Sequence, residues 1–309
     1  MPSLKNIAIK ASGKCMSKDM RTALRSRICP NTLWPYRNWL VNHEQRFIYC
    51  PIPKVACTSI KHWFMQTLGS SIEFEDISIT HSHVDEHYSA ARANWRLARK
   101  AINQYQRLAV VRNPWTRTVS GFIDKFVRED FNPQKAQVIE AIYTHRGHTL
   151  NRCDTLDWNT MGDTHKIPMD PSIPYQDGIS FQEFSDYLCR TPDEQLDDHW
   201  RPQYLFLGRH DFQWILKFEN LDKGVLDFEQ ALGVPHIALL RLHKACSKDL
   251  THVPPLNRDV SAIPSGVLKE NASQLSSQNL LNERLCALLG NRFATDVQQF
   301  RYTAPSLTV

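Results

Sequence analysis

Pro53-Lys54-Val55-Ala56-Cys57-Thr58-Ser59 sets a cation, two small side chains and two hydroxyls between a β-type run and a helical one. A loop in that position aims backbone N–H groups, and the positive end of a helix dipole, at one point. Ala56 and Cys57 let the backbone approach an anion closely, Thr58 and Ser59 add hydroxyl donors, and Lys54 adds a full charge. The chemistry on offer is a cradle for a phosphate or sulfate. The spacing is not that of a GxxxxGK[ST] loop, which needs two glycines and a lysine directly before Ser/Thr. Here the loop holds no glycine, and Lys54 stands four positions before Thr58. Taken alone, the segment is equally an ordinary strand-to-helix turn with an exposed lysine.

A second constellation is Val111-Arg112-Asn113-Pro114-Trp115-Thr116-Arg117-Thr118-Val119-Ser120-Gly121-Phe122. Arg112 falls at the C-terminal end of an apolar run, where open α/β sheets place their ligands. A guanidinium can hold a phosphate in a bidentate fork. Thr116 and Ser120 are four apart, so both hydroxyls lie on one face of the following helix. The bland alternative is a capped helix with a surface arginine. Both constellations follow strands in one βαβ-like frame, and that conjunction favours a shared anionic ligand.

A general base for a hydroxyl has candidates in His81, His83 and His87, upstream of the Arg112 strand, with His199 a more distant one. The same cluster could be bland surface, or a metal site of the His81-x-His83 and His87 type. No carboxylate or Cys spacing of the metal-site kind strengthens the latter. Trp63 and Trp115 could supply an aromatic wall for a ligand, yet both fit the helix core pattern. Arg92, Arg96, Arg99 and Lys100 could guide a polyanion, although a solvated helix face is the default for such a run.

The elements that must position these groups follow from periodicity. Arg46–Cys50 is a short β-type run closed by Pro51 and Pro53. Ile60, Trp63, Phe64, Thr67 and Leu68 repeat at helical spacing, with Thr58 or Ser59 suited to cap. A second helix is expected from about Ser89 to Gln104, leading into Arg107–Val111, a strand buried on both faces. Trp115, Val119, Phe122 and Phe126 mark the next helix. Residues 144–180 form a long polar connection, expected as an acceptor-side loop. Helix over Phe181–Cys189, strand over Gln213–Phe218, and helices over Leu221–Leu232 and Gln278–Leu289 complete the pattern, with an amphipathic tail from Phe293 to Tyr302. Strand alternating with helix predicts an α/β fold: a P-loop-like central parallel sheet flanked by helices.

With 309 residues and 42% hydrophobic composition, the chain can bury a full core. Residues 1–40 are expected as a basic N-terminal arm and 41–309 as a single domain. The net charge of +5 is too small to argue for nucleic acid but suits an anionic ligand. No run approaches the roughly 20 apolar residues of a spanning helix, and the first residues lack the apolar core of a signal peptide. The simplest expectation is a soluble cytoplasmic protein. The eight cysteines include no CxxC pair, so reduced thiols are expected rather than a zinc cluster or disulfides.

Cys50 to Ser59 resembles the 5′-phosphosulfate loop of the carbohydrate sulfotransferases of the chondroitin 4-O and HNK-1 type. Val111 to Phe122, with Asp124-Lys125-Phe126, resembles their 3′-phosphate motif. His199-Trp200-Arg201-Pro202-Gln203-Tyr204 is similar to their His-Trp-x-Pro element, and Phe293, Asp296, Phe300 and Tyr302 to their C-terminal helix and tail. The resemblance implies the sulfotransferase fold and transfer of a sulfonate group from 3′-phosphoadenosine 5′-phosphosulfate (PAPS) to an acceptor hydroxyl on a carbohydrate, with no metal required. It implies Lys54 at the departing oxygen, with Val55, Ala56, Cys57, Thr58 and Ser59 around the 5′-phosphate. Arg112 and Ser120 then hold the 3′-phosphate, and His83 is the base. His199, Arg201 and Tyr204 fall on the acceptor side. Two rivals stand beside this reading: a P-loop-type phosphotransferase, which would need a Lys-Ser/Thr pair and a Mg²⁺-holding acid, and a non-catalytic nucleotide-binding module.

Overall fold

The computed structural model describes residues 34–69, 77–92, 95–129, 131–160, 163–240 and 258–307. Most of the expected N-terminal arm lies outside them. Four strands form the central sheet: β1 (Leu40–Asn42), β2 (Phe47–Cys50), β3 (Gln106–Val111) and β6 (Trp214–Lys217), side by side in that order. β1 runs antiparallel to β2, while β2, β3 and β6 are mutually parallel, with Cys50 opposite Ala109 and Val111 opposite Lys217. The turns after these three strands therefore emerge on one edge of the sheet. That edge carries Pro51–Ala56, Arg112 and Phe218–Asn220.

Helices α1 (Cys57–Gln66), α2 (Ile77–Tyr88) and α3 (Trp95–Gln104) connect β2 to β3. Ile60, Trp63 and Phe64 are fully buried, as the helical spacing required. Trp63 packs against Phe47 and Phe228 and donates its indole N–H to Glu229 at 2.7 Å. The helix expected over 89–104 begins only at Trp95, because Ser89 pairs to Leu40 in an isolated bridge, and α2 lies wholly upstream of that range. α2 begins upstream because Val84 supplies its buried anchor, a signal diluted by the polar residues around it.

After β3 come α4 (Pro114–Phe122), a π-helical turn (Ile123–Arg128) and α5 (Pro133–His145). Trp115, Val119, Phe122 and Phe126 join Phe181, Phe184 and Trp200 in a second apolar core, separate from the one around the sheet. The Arg112–Asn113 turn is thus the joint between two cores. Within the stretch expected as a loop over 144–180, β4 (Asp154–Thr160) and β5 (Asp163–Met169) form an antiparallel hairpin. It escaped detection because residues 151–157 are all exposed, so no buried face imposes an alternating pattern. α6 (Phe181–Arg190) starts at a capping box of Ser180 and Glu183.

β6 leads into α7 (Leu221–Leu232), and α8 (Glu283–Arg292) and α9 (Ala294–Gln299) close the chain. Packing already begins at Trp34, whose ring meets Phe206 edge-on at 5.3 Å, while the fully buried Trp39 donates to the Phe206 carbonyl at 3.1 Å. The aromatic end of the expected arm is therefore part of the folded body. Five cysteines lie in the described residues (Cys50, Cys57, Cys153, Cys189 and Cys286), and all are free thiols.

Candidate anion-binding and acceptor site

The turn from β2 to α1 is held in an uncommon conformation. Lys54 and Ala56 both have left-handed φ, +69° and +66°. That region costs a non-glycine residue about 1–2 kcal/mol, and such outliers gather where a site needs them. Alternating left-handed residues turn successive backbone N–H groups toward one concavity, the geometry of an anion nest. Ala56 is the N-cap of α1 and places no side chain on the helix's first N–H groups. Thr58 and Ser59, expected as caps, are buried inside the first turn instead. The helix end is left facing the loop's concavity with its donors and its dipole.

Arg112 approaches this loop from the end of β3. Its Nη1 donates to the Lys54 carbonyl at 3.2 Å and its Nε to the Thr116 hydroxyl at 3.3 Å. The guanidinium lies over the Phe218 ring, 4.5 Å from its centroid. Burial pushes its pKa down to about 10, with Glu219 opposing, so it stays a cation at neutral pH. These contacts use two of the five N–H donors of the fork among the described residues. Ser120 stands one turn beyond Thr116 on α4, half-buried. Asn113 caps α4 by accepting from the Thr116 amide and donates to the Thr303 carbonyl at 2.9 Å.

Three residues that periodicity did not single out fix this geometry. Arg117, fully buried, donates to the carbonyls of Pro53 (3.0 Å), Arg201 (2.9 Å) and Asp198 (3.2 Å). One side chain thereby ties the loop, α4 and the His199 segment together. Gln203 clamps Arg112 by its backbone, accepting from its N–H at 2.9 Å and donating to its carbonyl at 2.8 Å. Asp296 in turn accepts from the amides of Gln203 (2.8 Å) and Tyr204 (2.9 Å). Asp296→Ala would leave two N–H groups without acceptors in a buried setting. It should cost about 3 kcal/mol in chemical denaturation; a loss under about 1 kcal/mol would contradict this support role.

The tail closes over the same edge. The Tyr302 hydroxyl lies 3.1 Å from the Val111 carbonyl and 2.9 Å from Glu219, and Glu219 also accepts from the Asn113 amide at 2.8 Å. The aromatic residue expected from the tail's resemblance thus pins the strand ends that carry Arg112.

Beside the loop opens a cleft of about 430 Å³, lined by Pro51–Pro53, Cys57, Lys61, Asp85, Asp198, His199 and neighbouring residues. Its walls come from α1, α2 and the segment before Gln203. Lys61 meets Asp85 at 2.6 Å. His199 reaches the cleft with Nδ1 2.6 Å from Asp197 Oδ1, an arrangement that orients an imidazole. Lys54, next to Pro53 in sequence but not among the residues lining the cleft, has its ammonium 2.7 Å from Asp124. Burial lowers the Lys54 pKa, with Asp124 opposing.

The structure brings Lys54, Val55, Ala56, Cys57, Thr58, Ser59, Arg112 and Ser120 to one edge of the sheet, and His199 to the adjoining cleft. His83 lies on α2, its ring stacked on His87 at 4.2 Å, and is not among the residues lining the cleft. The side chain of His81 lies outside the described residues. Among the described residues no group of three His, Cys, Asp or Glu is placed to hold a metal. Arg201 and Tyr204, expected on the acceptor side, turn inward. Arg201 pairs with Asp198 at 2.7 Å, donates to the Asp193 and Leu196 carbonyls and lies over the Trp34 ring. Tyr204 packs on the sheet core. Trp63 and Trp115 are core residues, and Trp115 donates to the Cys286 carbonyl at 2.8 Å. Arg92, Arg99 and Lys100 are exposed.

At one end of a mostly parallel sheet, the strand ends carry a left-handed loop, a helix start with no side-chain cap and a guanidinium, an arrangement of donors suited to an anion. Residues 37–303 match the model of the Sulfotransferase family, and the chain belongs to that family. It is 22% identical over 267 residues to carbohydrate sulfotransferase 14 of Danio rerio, covering 82% of this chain and 66% of that protein. The Homo sapiens carbohydrate sulfotransferase 14 is 26% identical over 170 residues, covering 54% of this chain and 39% of the relative. Carbohydrate sulfotransferase 10 of Xenopus laevis is 25% identical over 284 residues, covering 86% and 67%. The chain thus spans between about two fifths and two thirds of the length of these relatives. No solved structure matches significantly. No helix among the described residues is long and apolar enough to cross a membrane.

Proposed function

We propose that this chain transfers a sulfonate group from PAPS to a hydroxyl of a carbohydrate. The observation that carries the reading is the direct link between the two anion-binding turns, Arg112 Nη1 to the Lys54 carbonyl at 3.2 Å. It joins the turn that carries Lys54 to the guanidinium of Arg112, which supports a ligand with two phosphate groups reaching donors of both turns. PAPS supplies an activated sulfonate whose transfer leaves adenosine 3′,5′-bisphosphate. The residues present fit such a molecule: donors of the Lys54–Ser59 turn at the 5′ end, Arg112 and Ser120 at the 3′ end. Charge grows on the oxygen that leaves sulfur, so the Lys54 ammonium stabilises the transition state more than the ground state. The phosphotransferase reading is less favoured because the loop lacks the glycines and the Lys-Ser/Thr pair. The carbohydrate acceptor rests on the names of the relatives.

Two histidines compete for the role of base, with different support. His83 is carried by the resemblance, on the helix that walls the cleft through Asp85. His199 is carried by its place in the cleft and by Asp197 behind it. Truncating the true base to alanine should lower kcat about 10²–10⁴-fold, with the pH–rate profile losing its acid limb. The other variant should retain most of its kcat. Comparable small losses in both would exclude His83 and His199 as the base.

Labelled sulfonate transfer from PAPS, screened across glycans, phenols and small alcohols, tests the function itself. Transfer to a glycan is expected. Transfer confined to phenols or alcohols would overturn the acceptor class, and turnover of ATP in place of PAPS would overturn the donor.

A further inference from the structure

Asp124 falls within the segment that resembles the 3′-phosphate motif, yet the fold points it at the other end of the site. Past Phe122 the helix widens into the π-helical turn Ile123–Arg128, where the Glu129 amide donates to the Asp124 carbonyl at 3.3 Å. Such turns re-aim side chains and recur at functional sites. Here the turn sets Asp124 Oδ2 2.7 Å from the Lys54 ammonium. Lys125, 3.9 Å from the same carboxylate, is held by Glu129 at 2.5 Å, so Lys54 is the closer partner of Asp124. Burial pushes the Asp124 carboxyl up, but Lys54 above all, then Lys125 and His199, hold it below the usual carboxylate range.

Two physical consequences oppose each other. A lysine side chain has a flexible four-carbon stem, and a single ammonium at its end does not choose its own direction. A carboxylate at 2.7 Å chooses it. The same carboxylate, however, stands beside a turn built for anions and repels whatever anion enters. A group that weakens ground-state binding while aligning a cation used at the transition state raises turnover, not affinity.

We propose that Asp124 is a positioning residue for Lys54, fixing the ammonium's direction at the phosphosulfate end of the site at the expense of affinity for the anion. This rests on the reading of PAPS as donor. The consequence is a signature of opposite signs. Asp124→Asn, which keeps the shape and removes the charge, should bind adenosine 3′,5′-bisphosphate about tenfold more tightly by calorimetry, as one less repelling charge requires. The same variant should lose about 10²-fold in kcat. Asp124→Glu should restore most of the kcat and leave bisphosphate affinity near that of the wild type.

A merely structural role would weaken binding and turnover together. Equal or weaker bisphosphate binding by a folded Asp124→Asn, with the wild type binding normally, would sink this assignment and leave the donor reading intact. Should Asp124→Asn fail to fold, Asp124→Glu carries the test, and failure of that variant to recover kcat would overturn the proposal. A wild-type protein that does not bind the bisphosphate at all would remove the donor reading, and this inference with it.

Discussion

Lys54→Ala is expected to lower kcat by about 10³-fold while changing the affinity for adenosine 3′,5′-bisphosphate by less than about tenfold. The asymmetry follows from where the ammonium is used. On the proposed reading the 5′-phosphate is held by backbone donors of the left-handed turn and the start of α1, and alanine leaves both in place. What alanine removes is the cation proposed to face the oxygen on which charge develops only as the sulfonate departs. The Lys54 backbone also stays engaged, because Arg112 bonds its carbonyl and not its side chain. Measured by steady-state kinetics and calorimetry on one preparation, equal losses in kcat and affinity would mean that Lys54 only binds.

Arg112→Ala should do the reverse. It removes the one guanidinium at the end of β3 and should weaken the bisphosphate about 10²-fold. Binding of adenosine 5′-phosphosulfate, which has no 3′-phosphate, should change several-fold less. The variant's fold should survive, since Gln203 clamps Arg112 through its backbone N–H and carbonyl, which alanine retains. Arg112→Lys should recover only part of the affinity, because a point charge cannot reproduce a bidentate fork or lie over Phe218 in the same way. An Arg112→Ala protein that binds the bisphosphate normally would refute the placement of the 3′-phosphate.

The parts of this site legible in the sequence are those set by local rules. Helical spacing placed Ile60, Trp63 and Phe64, and Trp115, Val119 and Phe122, on buried faces, and the apolar runs located β2 and β3. The turns at Lys54 and Arg112 followed from their place after strands. What stayed hidden depends on partners distant in sequence. Nothing near Arg117 reveals that it joins Pro53 to Asp198 and Arg201, and nothing near Gln203 reveals a clamp on Arg112. A clue to Asp124 was the motif resemblance, which grouped it with Arg112; only the π-helical turn sends it to Lys54. The left-handed conformations at Lys54 and Ala56 went unread because glycine, their usual marker, is missing from the loop. Arg201 shows the opposite fault: a charged residue beside His199 looked like a ligand contact, but it is held by Asp198 and backbone carbonyls.

The central claim is that one site grips two phosphate groups on the two sides of an adenosine. Titrating the wild-type protein with adenosine 3′,5′-bisphosphate and, separately, with ATP by calorimetry tests it most directly. The site should prefer the bisphosphate by at least about 10²-fold, since ATP has no 3′-phosphate for Arg112 and leaves that half-buried cation without its anion. Equal affinity, or a preference for ATP, would contradict it.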